Sequence, residues 1–190
     1  MRAALVLAGG RARRLGGIDK ALIEIRGVTM LDRVLGAAAP HCDQLVVVGP
    51  VRETTVSGVR FTIEPDPGGG PVPAVAAGLD RVSGAEQVVV LAVDLPLLGD
   101  EHVRTLFVGL EDEGVVAVAA ADQRGRANPL LAAYRADALR VALDGAGPGE
   151  PAARMLPLAT VVLNLGEAGT LNVNEASDLE RARRLTRPAP

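Results

Sequence analysis

Aromatic residues are scarce in this chain: tryptophan is absent, tyrosine occurs once and phenylalanine twice among 190 residues. A core must therefore be built from Val, Leu, Ile and Ala, a mixture that suits an α/β layer fold. Cys42 is the single cysteine, which excludes an intrachain disulfide and a cysteine cluster for zinc, and two histidines add little metal capacity. Such cysteine usage fits a reducing cytoplasm. A basic excess is lacking too. The formal net charge is −3 and the arginines are scattered rather than interleaved with rings, so nucleic acid is not expected as a partner. Long apolar runs are also missing. The first run enters Gly9-Gly10 without the hydrophobic region and cleavage site of a secretory signal, and Val88 to Val93 stops at Asp94, far short of a membrane span. The expectation is a soluble, unexported protein with no membrane contact.

What is present is a series of short apolar runs: Ala3 to Ala8, Leu45 to Val48, Val88 to Val93, Val115 to Ala121 and Thr160 to Leu163. They read as strands buried on both faces. Phe61 and Ile63 alternate with polar neighbours before Glu64 and suggest another. Between them, Met30, Leu31, Val34 and Leu35 share one helical face, as do Val103, Leu106, Phe107 and Leu110. Pro71 and Pro73 fit the first turn of a helix carrying Val75, Leu79 and Val82. The segments 65–71 and 145–151 read as loops, the second as a mobile one. Alternation of this kind predicts a three-layer, Rossmann-like α/β fold with a mostly parallel sheet and helices on both faces. A length of 190 residues fits one domain, placed at 1–186, with 187–190 as a disordered tail.

The segment Leu7-Ala8-Gly9-Gly10-Arg11-Ala12-Arg13-Arg14-Leu15-Gly16-Gly17-Ile18-Asp19-Lys20 follows the first strand and packs glycines and cations into one loop. Glycine backbone approaches an anion closely and presents its N–H groups, while Arg14 and Lys20 add full charges, so the loop reads as a cradle for nucleotide phosphates. It lacks the Gly-Lys-Ser/Thr ending of a P-loop and the glycine offsets of the dinucleotide fingerprint. In open parallel sheets ligands sit at the carboxyl ends of strands, where Gly9-Gly10, Asp66 and Asp94 all fall.

Asp94, delivered at the exit of a buried strand, reads as a Mg²⁺ ligand, since Mg²⁺ takes one or two carboxylates together with substrate phosphates; capping of the next turn is the alternative. A cation such as Lys20 at a helix start is unfavourable against the dipole unless an anion lies nearby, which favours phosphate contact over a solvated surface lysine. Asp66 is able to accept from a guanine N1–H and amino group, or else simply to form the turn. Of Asn172 and Asn174, one is placed to help hold metal-bound phosphates, although Asn174 fits equally as the N-cap of the helix through Leu179 and Ala182. His41, His102 and Cys42 read as structural.

Together these residues resemble the nucleotidyltransferase signature of molybdenum cofactor guanylyltransferases: Leu7-Ala8-Gly9-Gly10, Arg14-Leu15-Gly16 and Asp19-Lys20-Ala21, followed in order by Gly70-Pro71, Ala92-Val93-Asp94-Leu95-Pro96, Asn128-Pro129-Leu130 with Tyr134-Arg135, and Asn172-Val173-Asn174 ahead of Asp178-Leu179. The resemblance covers nearly the whole chain. Its Ala-Gly-Gly form, with Asp66 before the glycine loop, tilts toward guanine, whereas related cytidylyltransferases typically carry Ala-Ala-Gly. Two departures stand out. Gly49-Pro50-Val51-Arg52 replaces an asparagine that some members use as a nucleotide contact, and only Arg154 remains of a basic pair in the late glycine loop.

The resemblance implies transfer of GMP from GTP to the terminal phosphate of molybdopterin or its molybdenum-loaded form, with release of pyrophosphate. It implies Mg²⁺ on Asp94, which also binds nucleotide, GTP bound by the backbone of Leu7, Ala8 and Gly9 with Lys20 and Asp66, and small-molecule substrates. Gly10 and Asn174 complete the expected nucleotide-binding set, and Arg14, Lys20 and Asp94 the catalytic one. Transient contact with other cofactor-biosynthesis proteins or target molybdoenzymes stays open. Rival readings are a molybdenum cofactor cytidylyltransferase, another small-phosphate nucleotidyltransferase such as a phospholactate guanylyltransferase, and a non-catalytic nucleotide-binding module.

Overall fold

A computed structural model describes residues 1–9, 11–12, 16–122, 124–159 and 161–186, with Arg11 and Ala12 as backbone only. Gly10, Arg14, Thr160 and the 187–190 tail lie outside the described residues.

Seven strands form one sheet in the order β11-β9-β10-β8-β1-β6-β7. They are β1 (Arg2–Leu7), β6 (Gln44–Val48), β7 (Val59–Thr62), β8 (Gln87–Ala92), β9 (Ala117–Ala121), β10 (Ala127–Arg135) and β11 (Val161–Leu163). The remaining strands are two-residue pieces, β2 (Arg11–Ala12) paired with β3 (Ile18–Asp19) and β4 (Glu24–Ile25) paired with β5 (Val28–Thr29). The β1, β6, β7 and β8 pairings are parallel, as is β11 with β9, and β10 alone runs against both of its neighbours. The mostly parallel α/β fold expected from the apolar runs is therefore present.

Strand residues alternate between two cores, as the period of two demands. Ala4, Val6, Val47, Val89, Leu91 and Val118 face α1 (Met30–Ala38) and α3 (Asp100–Gly109). Ala3, Leu5, Val46, Val88, Val90 and Ala119 face α2 (Pro71–Leu79) and α4 (Ala136–Leu143). Helix α1 starts where the Thr29 hydroxyl accepts the Asp32 N–H at 3.0 Å, and it buries Met30, Leu31, Val34 and Leu35, the face read from the sequence. Helix α2 begins at Pro71 but ends at Leu79, so Val82 packs from the following turn. Gly78 lets α2 lie close on the sheet, because a Cβ there would stand 3.0 Å from Val48 and 3.1 Å from Leu5.

Within the seven-stranded sheet, β10 is the strand without a counterpart among the expected ones. Its register with β9 breaks between Asn128 and Ala132, and Pro129, which has no N–H for a ladder, sits in that break. The buried Tyr134 hydroxyl donates to the Pro129 carbonyl at 2.8 Å and pins the irregularity. At the other end of the chain come a short α5 (Gly166–Thr170) and α6 (Ala176–Leu185). Helix α6 is capped by Asp178, which accepts the Asn174 and Glu175 N–H groups at 2.9 and 3.0 Å. Glu175 is the N-cap, so the alternative of Asn174 in that role is not realised and its side chain is left for other work.

Candidate functional site

The chain leaves β1 toward β6 and β7 on one side and returns through α2 to β8 on the other, so β1 and β8 flank the topological switch point. Past the strand ends the pairing continues, with the Val93 N–H on the Leu7 carbonyl at 3.1 Å. Leu7 to Gly9 and Asp94 therefore leave the sheet side by side.

A short 3₁₀ turn, Lys20–Leu22, brings the lysine back over this crevice, and the Asp19 carboxylate caps it by accepting the Ala21 N–H at 3.0 Å. The Lys20 ammonium then donates to Asp94 Oδ2 and to Asn174 Oδ1, each at 2.8 Å. Backbone pairing holds the third segment in place, since the Val173 N–H donates to the Asp94 carbonyl at 2.9 Å. Beneath it, Ile23, Ile25, Met30, Leu171, Val173 and Ala182 make a small separate core. Three residues named from sequence, far apart along the chain, thus meet on one cation. The pair is largely shielded, with side-chain exposures of 14% for Lys20 and 19% for Asp94. At that depth a charge needs partners, and both are provided.

The glycine loop is backed by the segment after β6. The Ala8 N–H donates to the Val48 carbonyl at 2.8 Å, and Gly49 lies flat against the next peptide: a Cβ on it would meet the Ala8 carbonyl carbon at 2.8 Å. Arg52, only 7% exposed, donates to Asp19 Oδ2 at 2.7 Å, the Ala8 carbonyl at 2.9 Å and the Pro50 carbonyl at 3.0 Å. Glu64, buried at 7% exposure, stands across from Gly9; a Cβ there would lie 3.8 and 3.9 Å from its carboxylate oxygens. Glu64 Oε1 accepts the Gly68 N–H at 3.1 Å.

Asp66 does not join this group. It is exposed and lines a cavity of about 450 Å³ with Ile63, Pro73, Ala76, Arg81 and Pro148, while its carbonyl accepts the Gly69 N–H at 2.9 Å. Among the described residues it makes no hydrogen bond or ion pair with Lys20, Asp94 or Asn174. Arg154 is occupied by the Ala142 and Asp144 carbonyls and by Glu150, each at 2.9 Å, and so braces the 145–151 loop. His102 Nδ1 accepts the Gly99 N–H at 2.9 Å, and burial pushes the Cys42 thiol up to about 12, which fits the structural reading of both. Asn172 keeps a buried Oδ1 without a described partner. Sequence reasoning missed Glu64 and the role of Arg52. For Glu64 the alternation of Phe61 and Ile63 pointed the other way, since the structure buries Thr62 and Glu64 and leaves Ile63 51% exposed.

The model of the MobA-like NTP transferase domain matches residues 4–157. A molybdenum cofactor guanylyltransferase from Rhodopseudomonas palustris (strain BisB5) is 37% identical over 139 residues, covering 69% of this chain and 65% of that relative, so the match spans just under two thirds of the relative's length. One from Acidiphilium cryptum (strain JF-5) is 30% identical over 189 residues, covering 94% and 92%. In structure, the molybdopterin-guanine dinucleotide biosynthesis protein A of Archaeoglobus fulgidus is similar with a TM-score of 0.70 at 22% identity, covering 97% of this chain and 98% of that one. A 2-C-methyl-D-erythritol 4-phosphate cytidylyltransferase from Thermus thermophilus shares the fold with a TM-score of 0.68 at 19% identity, covering 97% and 98%. Since the domain model spans most of the chain and a relative aligns along nearly its full length, the chain belongs to the MobA-like NTP transferase family.

Proposed function

We propose that this chain is a Mg²⁺-dependent molybdenum cofactor guanylyltransferase, working in the cytoplasm as one catalytic unit of residues 1–186. The observation that carries the reading is the Lys20 ammonium held between Asp94 and Asn174 at the switch point of the sheet. The guanine preference and the acceptor come from the names of the relatives, one of which aligns along nearly the whole chain.

In the reaction, an anionic oxygen of the acceptor's terminal phosphate forms a bond to the α-phosphorus of GTP, and the bond from that phosphorus to the bridging oxygen of the β-phosphate breaks. Pyrophosphate leaves with that electron pair. No side chain need accept a proton, because a phosphate monoester is already a nucleophile. Catalysis is then a matter of alignment and charge neutralisation. The Gly9 N–H and the glycine loop are assigned the triphosphate, together with Arg14 and Gly10. Lys20 is assigned the same phosphates, to which its ammonium turns from Asp94 and Asn174.

The donor set fits a hard cation: Asp94 Oδ2 and Asn174 Oδ1 already converge on one positive centre, and Mg²⁺ takes its other ligands from water and phosphates. Asp94 with Asn174 would hold it, and when bound it supplies neutralisation of the crowded phosphate charge. For the base, Glu64 is better placed than Asp66, because its carboxylate faces Gly9 and already accepts an N–H. We assign guanine N1–H and amino recognition to the 64–66 turn, with Glu64 foremost.

Pyrophosphate release tests the proposal, with GTP, CTP, ATP and UTP each offered alongside molybdopterin and simple phosphate monoesters. GTP with molybdopterin should turn over; strict use of CTP overturns the guanylyl reading, and tight GTP binding without pyrophosphate from any acceptor leaves a silent binding module. Glu64→Gln should narrow the gap between GTP and the other nucleotides while Asp66→Asn leaves it unchanged, and the reverse pattern restores Asp66.

A further inference from the structure

We infer that Arg52 is a positioning residue that aims the Ala8–Gly9 peptide, and through Asp19 the Lys20 turn, at the phosphates; this rests on the nucleotide reading above. Its guanidinium carries a full charge yet offers little of it outward. Three acceptors, the Asp19 carboxylate and the Ala8 and Pro50 carbonyls, take its donors at 2.7, 2.9 and 3.0 Å. Ala8 and Asp19 stand at the two ends of the glycine loop, so one side chain ties the place where the loop leaves the sheet to the place where it returns.

The consequence for Gly9 follows from peptide geometry. In a planar trans peptide the carbonyl and the next N–H point in opposite directions. With the Ala8 oxygen held on Arg52, the Gly9 N–H is turned to the other side, where it has no partner among the described residues. The peptide has little freedom to rotate away, because the Ala8 N–H before it is fixed on Val48 and Gly49 lies so close behind it that an added Cβ would stand 2.8 Å from the Ala8 carbonyl carbon. At the other end, the carboxylate that Arg52 grips through Oδ2 uses Oδ1 to cap the Lys20–Leu22 turn. A shift in Asp19 is therefore a shift in Lys20. Lysine cannot replace this arrangement, since a single ammonium lacks the planar fork that reaches three acceptors at once.

The test combines the protein without nucleotide and with it. Hydrogen exchange across residues 8–19 is measured for wild type, Arg52→Met, Arg52→Lys and Asp19→Asn, alongside thermal unfolding, GTP affinity by calorimetry, and kcat and KM for both substrates. Asp19→Asn keeps volume and the two carbonyl contacts, so it reports even if Arg52→Met folds poorly. Exchange in 8–19 should quicken by about tenfold or more in Arg52→Met while the β1 core is unchanged, and GTP affinity should weaken by about ten- to a hundredfold. Because the Lys20 turn moves with Asp19, kcat should fall by about three- to tenfold, whereas the acceptor KM should move by less than about threefold, with Arg52→Lys recovering only part and Asp19→Asn falling between. A uniform loss of stability without local exchange would overturn the inference, as would quickened exchange with GTP affinity intact. Failure of the wild type to bind GTP would bring down the nucleotide reading with it, and shows in the control before any variant is made.

Discussion

Lys20 and Asp94 are legible as chemistry because a charge delivered at the end of a buried apolar strand, or at a helix start, needs a reason to be there. Asn174 has two possible uses in the sequence, and the capping of α6 by Asp178 removes one of them. Replacing Asp94 by Ala deletes one of the two oxygens on the Lys20 ammonium, and with it the carboxylate proposed to hold the metal. We expect kcat/KM to fall roughly a thousandfold, and near-normal turnover at saturating magnesium would remove Asp94 from that role. Glu64 and Arg52 are not legible in the same way. A glutamate after a strand and an arginine in a loop are ordinary at the surface, and only the inverted exposure of Ile63 and Glu64 and the three contacts of Arg52 reveal otherwise. Cys42 gives a prediction with a definite sign. Burial raises its thiol to about 12, so the reactive thiolate stays rare through neutral and mildly basic pH. Iodoacetamide at pH about 8, below that raised value and close to that of a free thiol, should label the folded protein far more slowly than the unfolded chain, and equal rates would contradict the burial.

At the scale of elements, the parallel strands are readable because burial on both faces leaves continuous Val, Leu and Ala runs. Strand β10 hides because Leu130-Leu131-Ala132-Ala133 is made of helix formers with no β-branched residue and leads into the helix-forming Ala136-Asp137-Ala138-Leu139, and Pro129 argues against a strand until its place in the register break is known. The connection after β6 reads from sequence only as a departure from the family pattern, yet it forms the back of the glycine loop. Gly49 is the sensitive point there: its φ is +152° and an added Cβ would meet backbone atoms of Ala8 at 2.8 and 2.9 Å. Gly49→Ala should cost about 1–3 kcal/mol by denaturant titration and also weaken GTP binding, because the strain is relieved most directly by moving the Ala8–Gly9 peptide. Unchanged stability would show that this contact is softer than its distances imply.

For the molecule as a whole, the sheet order puts the glycine loop and Asp94 on adjacent strands, so a ligand there bridges the two halves of the chain. Anything that binds only the folded state stabilises it by mass action. GTP with Mg²⁺ at about 100 times its Kd should therefore add about 2.7 kcal/mol and raise the Tm by about 5–10 °C in a scanning experiment, with a smaller rise for CTP at equal concentration. A greater rise with CTP would point to the other base. The small core of Ile23, Met30, Val173 and Ala182 has a further effect on how this protein can be cut or recombined. The matched family domain stops at residue 157, yet Asn174 and the helix that steadies it lie beyond that border. A fragment trimmed to the recognisable module would keep the lysine and its aspartate but forfeit the amide and the Leu171, Val173 and Ala182 half of that core, so grafting experiments should carry the C-terminal helix together with the site.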